Sequence, residues 1–168
     1  DQAFAKPPLF SFNKHGGTIN SLQEFRGKNH VLMVLFSWPQ SQVRLEQLKM
    51  ASKRLTEQQV AVIVVPVNEL DSKELKEIAD TLPFSVITQG AKEIVDSFML
   101  WRRTMSHPDI IGSGSNPEHI EFLFDKNGYL RARWIPSRDQ YGWSDMDALT
   151  RQISQLHREQ TKFSFPEE

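Results

Sequence analysis

Two hydrophobic runs limit what this chain can become. His30-Val31-Leu32-Met33-Val34-Leu35-Phe36 is apolar at odd and even positions alike, a pattern a strand carries only when both faces of its sheet are covered. Val60 to Val67 is a second run, rich in β-branched side chains. Between them, residues 40–55 place Val43, Leu45, Leu48 and Leu55 among Arg44, Glu46, Lys49 and Lys53. That alternation predicts an amphipathic helix, with Pro39 at its start, where a missing amide hydrogen costs little. A strand, helix, strand order of this kind implies a right-handed crossover and two parallel strands. The fold class is therefore α/β.

The flanking segments extend the reading. Phe10-Ser11-Phe12 and His15 to Ile19 around Gly16-Gly17 predict an N-terminal β-hairpin, and Ser21 to Phe25 a capped helical turn with Ser21 and Glu24 spaced as a capping box. Asp71 to Asp80 reads as a short helix, Phe84 to Ile87 as a strand, and Ala91 to Trp101 as a further helix. Residues 102–118 form a long connection. His119 to Asp125 and Tyr129 to Ile135, joined through Lys126-Asn127-Gly128, predict an antiparallel hairpin whose Asn-Gly pair supplies positive φ angles. Ser144 to Gln160 closes the chain as a helix with Met146, Leu149, Ile153 and Leu156 on one face.

At 168 residues the chain fits one domain spanning 1–168, with residues 1–8 and 161–168 as loose ends. Twenty basic against twenty-one acidic side chains leave a net charge of −1, so no broad field draws the protein to nucleic acid. No run approaches the roughly 18 apolar residues of a membrane span. Asp1 to Pro8 lacks the basic-then-apolar pattern of a signal peptide and the chain has no initiator methionine, which suggests a processed form or an excised fragment. Cysteine is absent, which removes disulfides, thiolate ligands and thiol nucleophiles together.

The order of elements resembles the thioredoxin-like fold in its redoxin, AhpC/TSA-related form: a mixed central sheet with helices on both faces and an N-terminal hairpin. Ser21 to Lys28 is similar to the lead-in to that family's first core strand, and Phe36-Ser37-Trp38 to the aromatic strand end before its active site. The resemblance implies a Cys-x-x-Cys next, where a helix N-terminus lowers a thiol's pKa. Here Trp38 is followed by Pro39, Gln40, Ser41 and Gln42, a degenerate redox loop. The family's cis-proline position falls on His119. Residues 82–94 and above all 118–136 are similar to the extramembrane redoxin-like domain of copper resistance D family proteins, which are bacterial inner-membrane copper-handling proteins. That implies a redox-inactive domain, not an enzyme, in the bacterial periplasm, where a missing N-terminal region could tether it to the inner membrane, serving a parent or neighbouring copper transporter by protein or peptide interaction or by weak copper binding.

Candidate sites follow. Imidazole and thioether suit copper when thiolate is unavailable, and Met105, His107 and His119 are the set that a folding-back loop could gather near residues 39–42. Their spacing is not diagnostic of a metal, and one core methionine with two surface histidines is the simpler account. His15, His30 and His157 are expected to be structural. Ser41, the lone hydroxyl of the degenerate loop, could serve as a nucleophile with His119 as base. No third member is legible, so Ser41 is expected to cap or line the helix start. Arg131 and Arg133 share a strand face with Tyr129 and Ile135, which fits an edge strand with one solvated face better than an anion site. The alternative to an interaction module is a cysteine-free enzyme, or a peptide-binding module, using the groove around His119.

Overall fold

All seven side chains of His30–Phe36 are buried in the computed structural model, which describes residues 12–14, 19–20, 22–105, 118–135, 138–139, 142–143 and 146–162. The chain runs through β1 (Phe12–Lys14), β2 (Ile19–Asn20), a 3-10 turn (Leu22–Phe25) and β3 (His30–Phe36). It continues through α1 (Gln42–Met50), α2 (Ser52–Glu57), β4 (Val60–Pro66), α3 (Ser72–Thr81), β5 (Ser85–Gln89) and α4 (Ala91–Met105). It ends with β6 (Ile120–Phe124), β7 (Leu130–Trp134), β8 (Arg138–Asp139), β9 (Gly142–Trp143) and α5 (Met146–Lys162).

The main sheet has seven strands in the order β2-β1-β5-β4-β3-β6-β7, and β8 and β9 form a separate ribbon. β3 lies parallel to β4 in the register His30 to Val60 through Phe36 to Pro66, as the crossover required. β4 and β5 are also parallel. β6 runs antiparallel to β3 and carries β7 at the sheet edge. The N-terminal hairpin is present, with β1 paired antiparallel to both β2 and β5. Residues 1–8, Ser21 and Ser144 lie outside the described residues, as do 163–168, while 161–162 still belong to α5. No helix among the described residues is long and apolar enough to cross a membrane.

Because side chains alternate across a strand, β3 feeds two cores. Leu32, Val34 and Phe36 pack with Leu45, Leu48 and Leu55 of α1 and α2, Ile78 and Ala79 of α3, and Leu149, Ile153 and Leu156 of α5. Val31, Met33 and Leu35 pack with Ile94, Val95 and Phe98 of α4 on the opposite face. Phe98 meets the Phe122 ring at a centroid distance of 5.1 Å, which fastens α4 to β6.

Three expectations need correction. The helix over residues 40–55 is two helices that meet at Ala51. Within it the assigned faces are exchanged at one step: Val43 is 50% exposed and Arg44 is fully buried. In the hairpin turn only Gly128 takes a positive φ, +88°; Asn127 does not. The turn is the expected Lys126-Asn127-Gly128 loop, held by Asp125, whose carboxylate accepts from the Asn127 and Tyr129 amides, with a positive φ at its final glycine alone. A Cβ at Gly128 would stand 2.8 Å from Nε of the exposed Arg26 side chain, which can swing aside, so the positive φ is the requirement that selects glycine there.

Arg131 of β7 is engaged by Asp125 and by Glu159 of α5, its Nη2 lying 2.7 Å from Glu159 Oε2. This anchoring of the edge strand accounts for Arg131 without a bound anion. Nearby, His30 at the start of β3 is buried with no hydrogen bond to Nδ1. Burial, then the positive charge of Lys126, lowers its pKa from 6.5 to about 4, against the opposing pull of Asp125. The unfolded chain therefore binds a proton between pH 6.5 and 4 that the folded chain refuses. Stability should be fully present above pH 6.5 and fall as pH drops toward 4, by on the order of 2 kcal/mol from this residue. Urea unfolding at pH 7 and pH 4.5 is expected to show that loss, and His30→Leu to reduce it; an unchanged pH slope in the variant would exclude His30 as the source.

Candidate functional site

The degenerate redox loop sits at the junction of β3 and α1, and a polar network lies beneath it. Ser41 occupies the position before the first turn of α1, yet its hydroxyl makes no capping bond to the helix. Instead Ser41 Oγ accepts the Ser37 amide at 3.0 Å and lies 2.7 Å from His119 Nδ1. The other ring nitrogen, Nε2, is 2.7 Å from Glu121 Oε2. Arg44 closes the chain by donating from Nε to Glu121 Oε2 and from Nη2 to Oε1, both at 2.8 Å. Ser41, Arg44 and Glu121 have no exposed surface, and His119 only 1%.

Local structure puts these groups together. Residues 41, 44, 45 and 48 recur at the spacing of one helical face, so Arg44 points inward with Leu45 and Leu48. His119 and Glu121 are two apart at the start of β6 and share a face. That face also carries Leu123, which packs in the layer beneath α1. β6 pairs with β3 from Leu35–Ile120 to Val31–Phe124, which sets His119 beside the end of β3, where the loop begins.

Charge and proton positions follow from the donors. Burial pushes the Glu121 carboxyl up, but hydrogen bonds from Arg44 and His119 and the Arg44 charge overcome it and hold it below its ordinary value. An ionised carboxylate only accepts, so His119 Nε2 carries a hydrogen. In the neutral ring Nδ1 is then the acceptor for the Ser41 hydroxyl. Serine, imidazole and carboxylate thus stand in the order of a proton relay, and Glu121 supplies the third member that the sequence did not reveal. The nucleophile is sealed, however, and its oxygen already accepts the Ser37 amide.

The loop above is tied down at both ends. Ser37 Oγ donates to the Glu118 carbonyl at 2.6 Å, and the Ser41 amide donates to the Ser37 carbonyl at 2.7 Å. Asn68, after β4, donates to the Trp38 carbonyl and accepts the Trp38 amide, each at 3.1 Å, as a neighbouring strand would. Trp38 is half-buried against the α1 core layer, while Pro39, Gln40 and Gln42 are exposed. The Glu118 carbonyl beside His119 is occupied by Ser37, which removes one backbone group that a peptide in this groove could have paired with.

Of the expected copper ligands, only His119 has a described side chain. Its two nitrogens face Ser41 and Glu121, so a metal could take Nδ1 only by displacing the serine. His107 and the Met105 side chain lie outside the described residues, as does His15. Among the described residues no group of three or more His, Cys, Asp or Glu is arranged to hold a metal ion. Within the expected set, His119 is thus the one member whose donor atoms are described, and both are already engaged. Arg44, Glu121, Ser37 and Asn68 were the members that sequence reasoning missed. Glu121, a lone charge inside the apolar run 120–124, and Arg44, in phase with Leu45 and Leu48, were the available signals.

The AhpC/TSA family profile matches residues 5–133. No curated protein matches the sequence. Three solved structures share the fold at low identity. A thiol:disulfide interchange protein of the thioredoxin family from Chlorobium tepidum TLS aligns at a TM-score of 0.68 and 16% identity, over 93% of this chain and 98% of its own. A protein from Chlorobium tepidum described as a putative thiol:disulfide interchange protein DsbE gives 0.65 and 15%, over 91% and 96%. The mitochondrial 2-Cys peroxiredoxin from Plasmodium falciparum gives 0.66 and 14%, over 96% and 98%.

The network predicts unequal costs. Arg44→Leu leaves Glu121 ionised, buried and short of its main partner, and should cost about 3–5 kcal/mol in urea unfolding. Adding Glu121→Leu should recover part of that loss, because the pair is then replaced by apolar packing. Ser41→Ala removes only a hydroxyl but strands the Ser37 amide, and should cost about 1–3 kcal/mol. Equal costs for the single and double charge variants would mean the ion pair does not organise the site.

Proposed function

The chain belongs to the AhpC/TSA family and contains no cysteine, and from that premise we propose that it is a redox-inactive redoxin domain that works by binding another protein. The observation that carries this reading is the Ser41–His119–Glu121–Arg44 network. Where a redoxin needs a reactive thiol near a helix N-terminus, this chain has buried groups that satisfy one another. Such an arrangement fixes the shape of the loop and does not turn over. The exposed side chains of Pro39, Gln40 and Gln42 beside half-buried Trp38 then form a rigid surface for recognition.

The finer reading places the domain in the bacterial periplasm, next to a copper transporter or a copper-resistance protein. Its support is the likeness of residues 82–94 and 118–136 to the extramembrane domain of copper resistance D family proteins. Copper binding by the domain itself would have to recruit groups other than His119 as it now stands.

Replacing Gln40 with a photo-crosslinking amino acid in the native cell tests the reading directly. A discrete adduct is expected at Gln40 and not at Glu57, which lies at the far end of α2. Mass spectrometry of the adduct then reads whether the partner is a copper-handling membrane protein. No adduct above the Glu57 control would overturn the proposal.

The relay geometry favours a second reading, acyl transfer through Ser41 with His119 as base, since 2.7 Å is within reach for proton transfer. Burial of Ser41 opposes it. A fluorophosphonate probe separates the two: the binding reading expects no labelling, and labelling that disappears in Ser41→Ala would establish the enzyme.

A further inference from the structure

A second site lies on the same edge of the sheet, away from the loop, and the chain's own topology creates it. β4 and β5 are parallel neighbours. The helix after β4, α3, packs Ile78 and Ala79 on the face shared with α1 and α5. The helix after β5, α4, packs Ile94, Val95 and Phe98 on the other face. Connections that leave adjacent parallel strands toward opposite faces cannot close over the gap between them, and in open α/β sheets this is where ligands settle.

A crevice of about 550 Å³ occupies that gap, lying between the segment after β4 and the first turns of α4. Its volume falls in the range of ligand sites, about 300–1,000 Å³. Val67, Leu70, Leu75 and Val95 give it apolar walls, and Glu69 and Lys92 stand among its charged lining. Lys92 is paired with Asp96 at 2.9 Å. Lys92 also lies within electrostatic reach of Glu69, so Glu69 and Asp96 set two carboxylates against one ammonium and the lining beside the apolar recess carries a net negative charge.

We propose that this crevice binds an extended peptide segment that presents one large apolar side chain next to a lysine or arginine. The apolar side chain would fill the recess between Leu70, Leu75 and Val95, and the cation would meet Glu69. This assignment stands independently of the loop surface proposed above, because it uses none of the residues 37–42. Asn68 joins the two regions, because it lines the crevice and also holds the Trp38 backbone.

Titration of ¹⁵N-labelled full chain with N-acetyl-Leu-Lys-amide, N-acetyl-Leu-Gln-amide and N-acetyl-Leu-Glu-amide, followed by amide chemical shifts, tests it. Saturable shifts should be confined to residues 67–70, 75, 88 and 91–96, at millimolar affinity for such short probes. The lysine peptide should bind up to about fivefold tighter than the glutamate peptide at low salt, the scale of one exposed ion pair. Glu69→Gln should abolish that preference while apolar binding persists. Ala91→Trp, which places bulk at the rim, should abolish the shifts; its own spectrum reports whether it is folded. Shifts elsewhere, no saturation by about 10 mM, equal or tighter binding of the glutamate peptide, or a preference that survives Glu69→Gln would each overturn the proposal.

Discussion

The contact between Arg44 and Glu121 decides what the rest of this domain can be. Two charges with no exposed surface would each be costly alone, and they persist because a planar guanidinium and a carboxylate match at two points, Nε to Oε2 and Nη2 to Oε1. The pair links the first helix after the central strand to the strand on that strand's other side. Once Glu121 is held ionised, His119 is oriented by it, Ser41 is oriented by His119, and the Ser37 amide is fixed by Ser41. The strand-to-helix loop inherits its shape from an ion pair several residues away in each chain segment.

This organisation explains how the fold persists without the chemistry usual for it. A reactive thiol requires partial exposure and an electropositive setting. The cluster in this chain is closed to solvent, and every polar atom discussed in it has a partner inside the protein. The likeness to thiol:disulfide interchange proteins and a peroxiredoxin, at 14–16% identity, is a likeness of scaffold. What the scaffold retains is geometry: a rigid loop at the end of β3 and an open crevice at the ends of β4 and β5. Both follow from parallel strands that terminate on one edge of the sheet.

The sequence was most legible where one physical requirement dominated. Runs apolar on both faces could only be covered strands, and His30–Phe36 and the run from Val60 fell where their patterns placed them. Leu149, Ile153 and Leu156 were correctly assigned to one face of the last helix for the same reason. The reading failed where two requirements competed. Arg44 was placed on the solvated face because charge outweighs periodicity when no partner is visible, and exposed Val43 took its place in the expected core. Ser41 was expected to cap or line α1, but its hydroxyl turned to a histidine 78 residues away. The Asn-Gly pair was expected to supply positive φ at both residues, whereas the turn held by Asp125 needs it at Gly128 alone.

The amino-acid order by itself determined the α/β class, the parallel crossover, the terminal hairpins and the impossibility of thiol chemistry, since these depend on periodicity and on which atoms are present. Only the tertiary structure decided that Ser41, Arg44, His119 and Glu121 form one unit, and that α3 and α4 leave the sheet on opposite sides to open a crevice. Those outcomes depend on which strand becomes the neighbour of which, so a lone charge in an apolar strand and a misplaced arginine acquire meaning only when β6 is laid against β3.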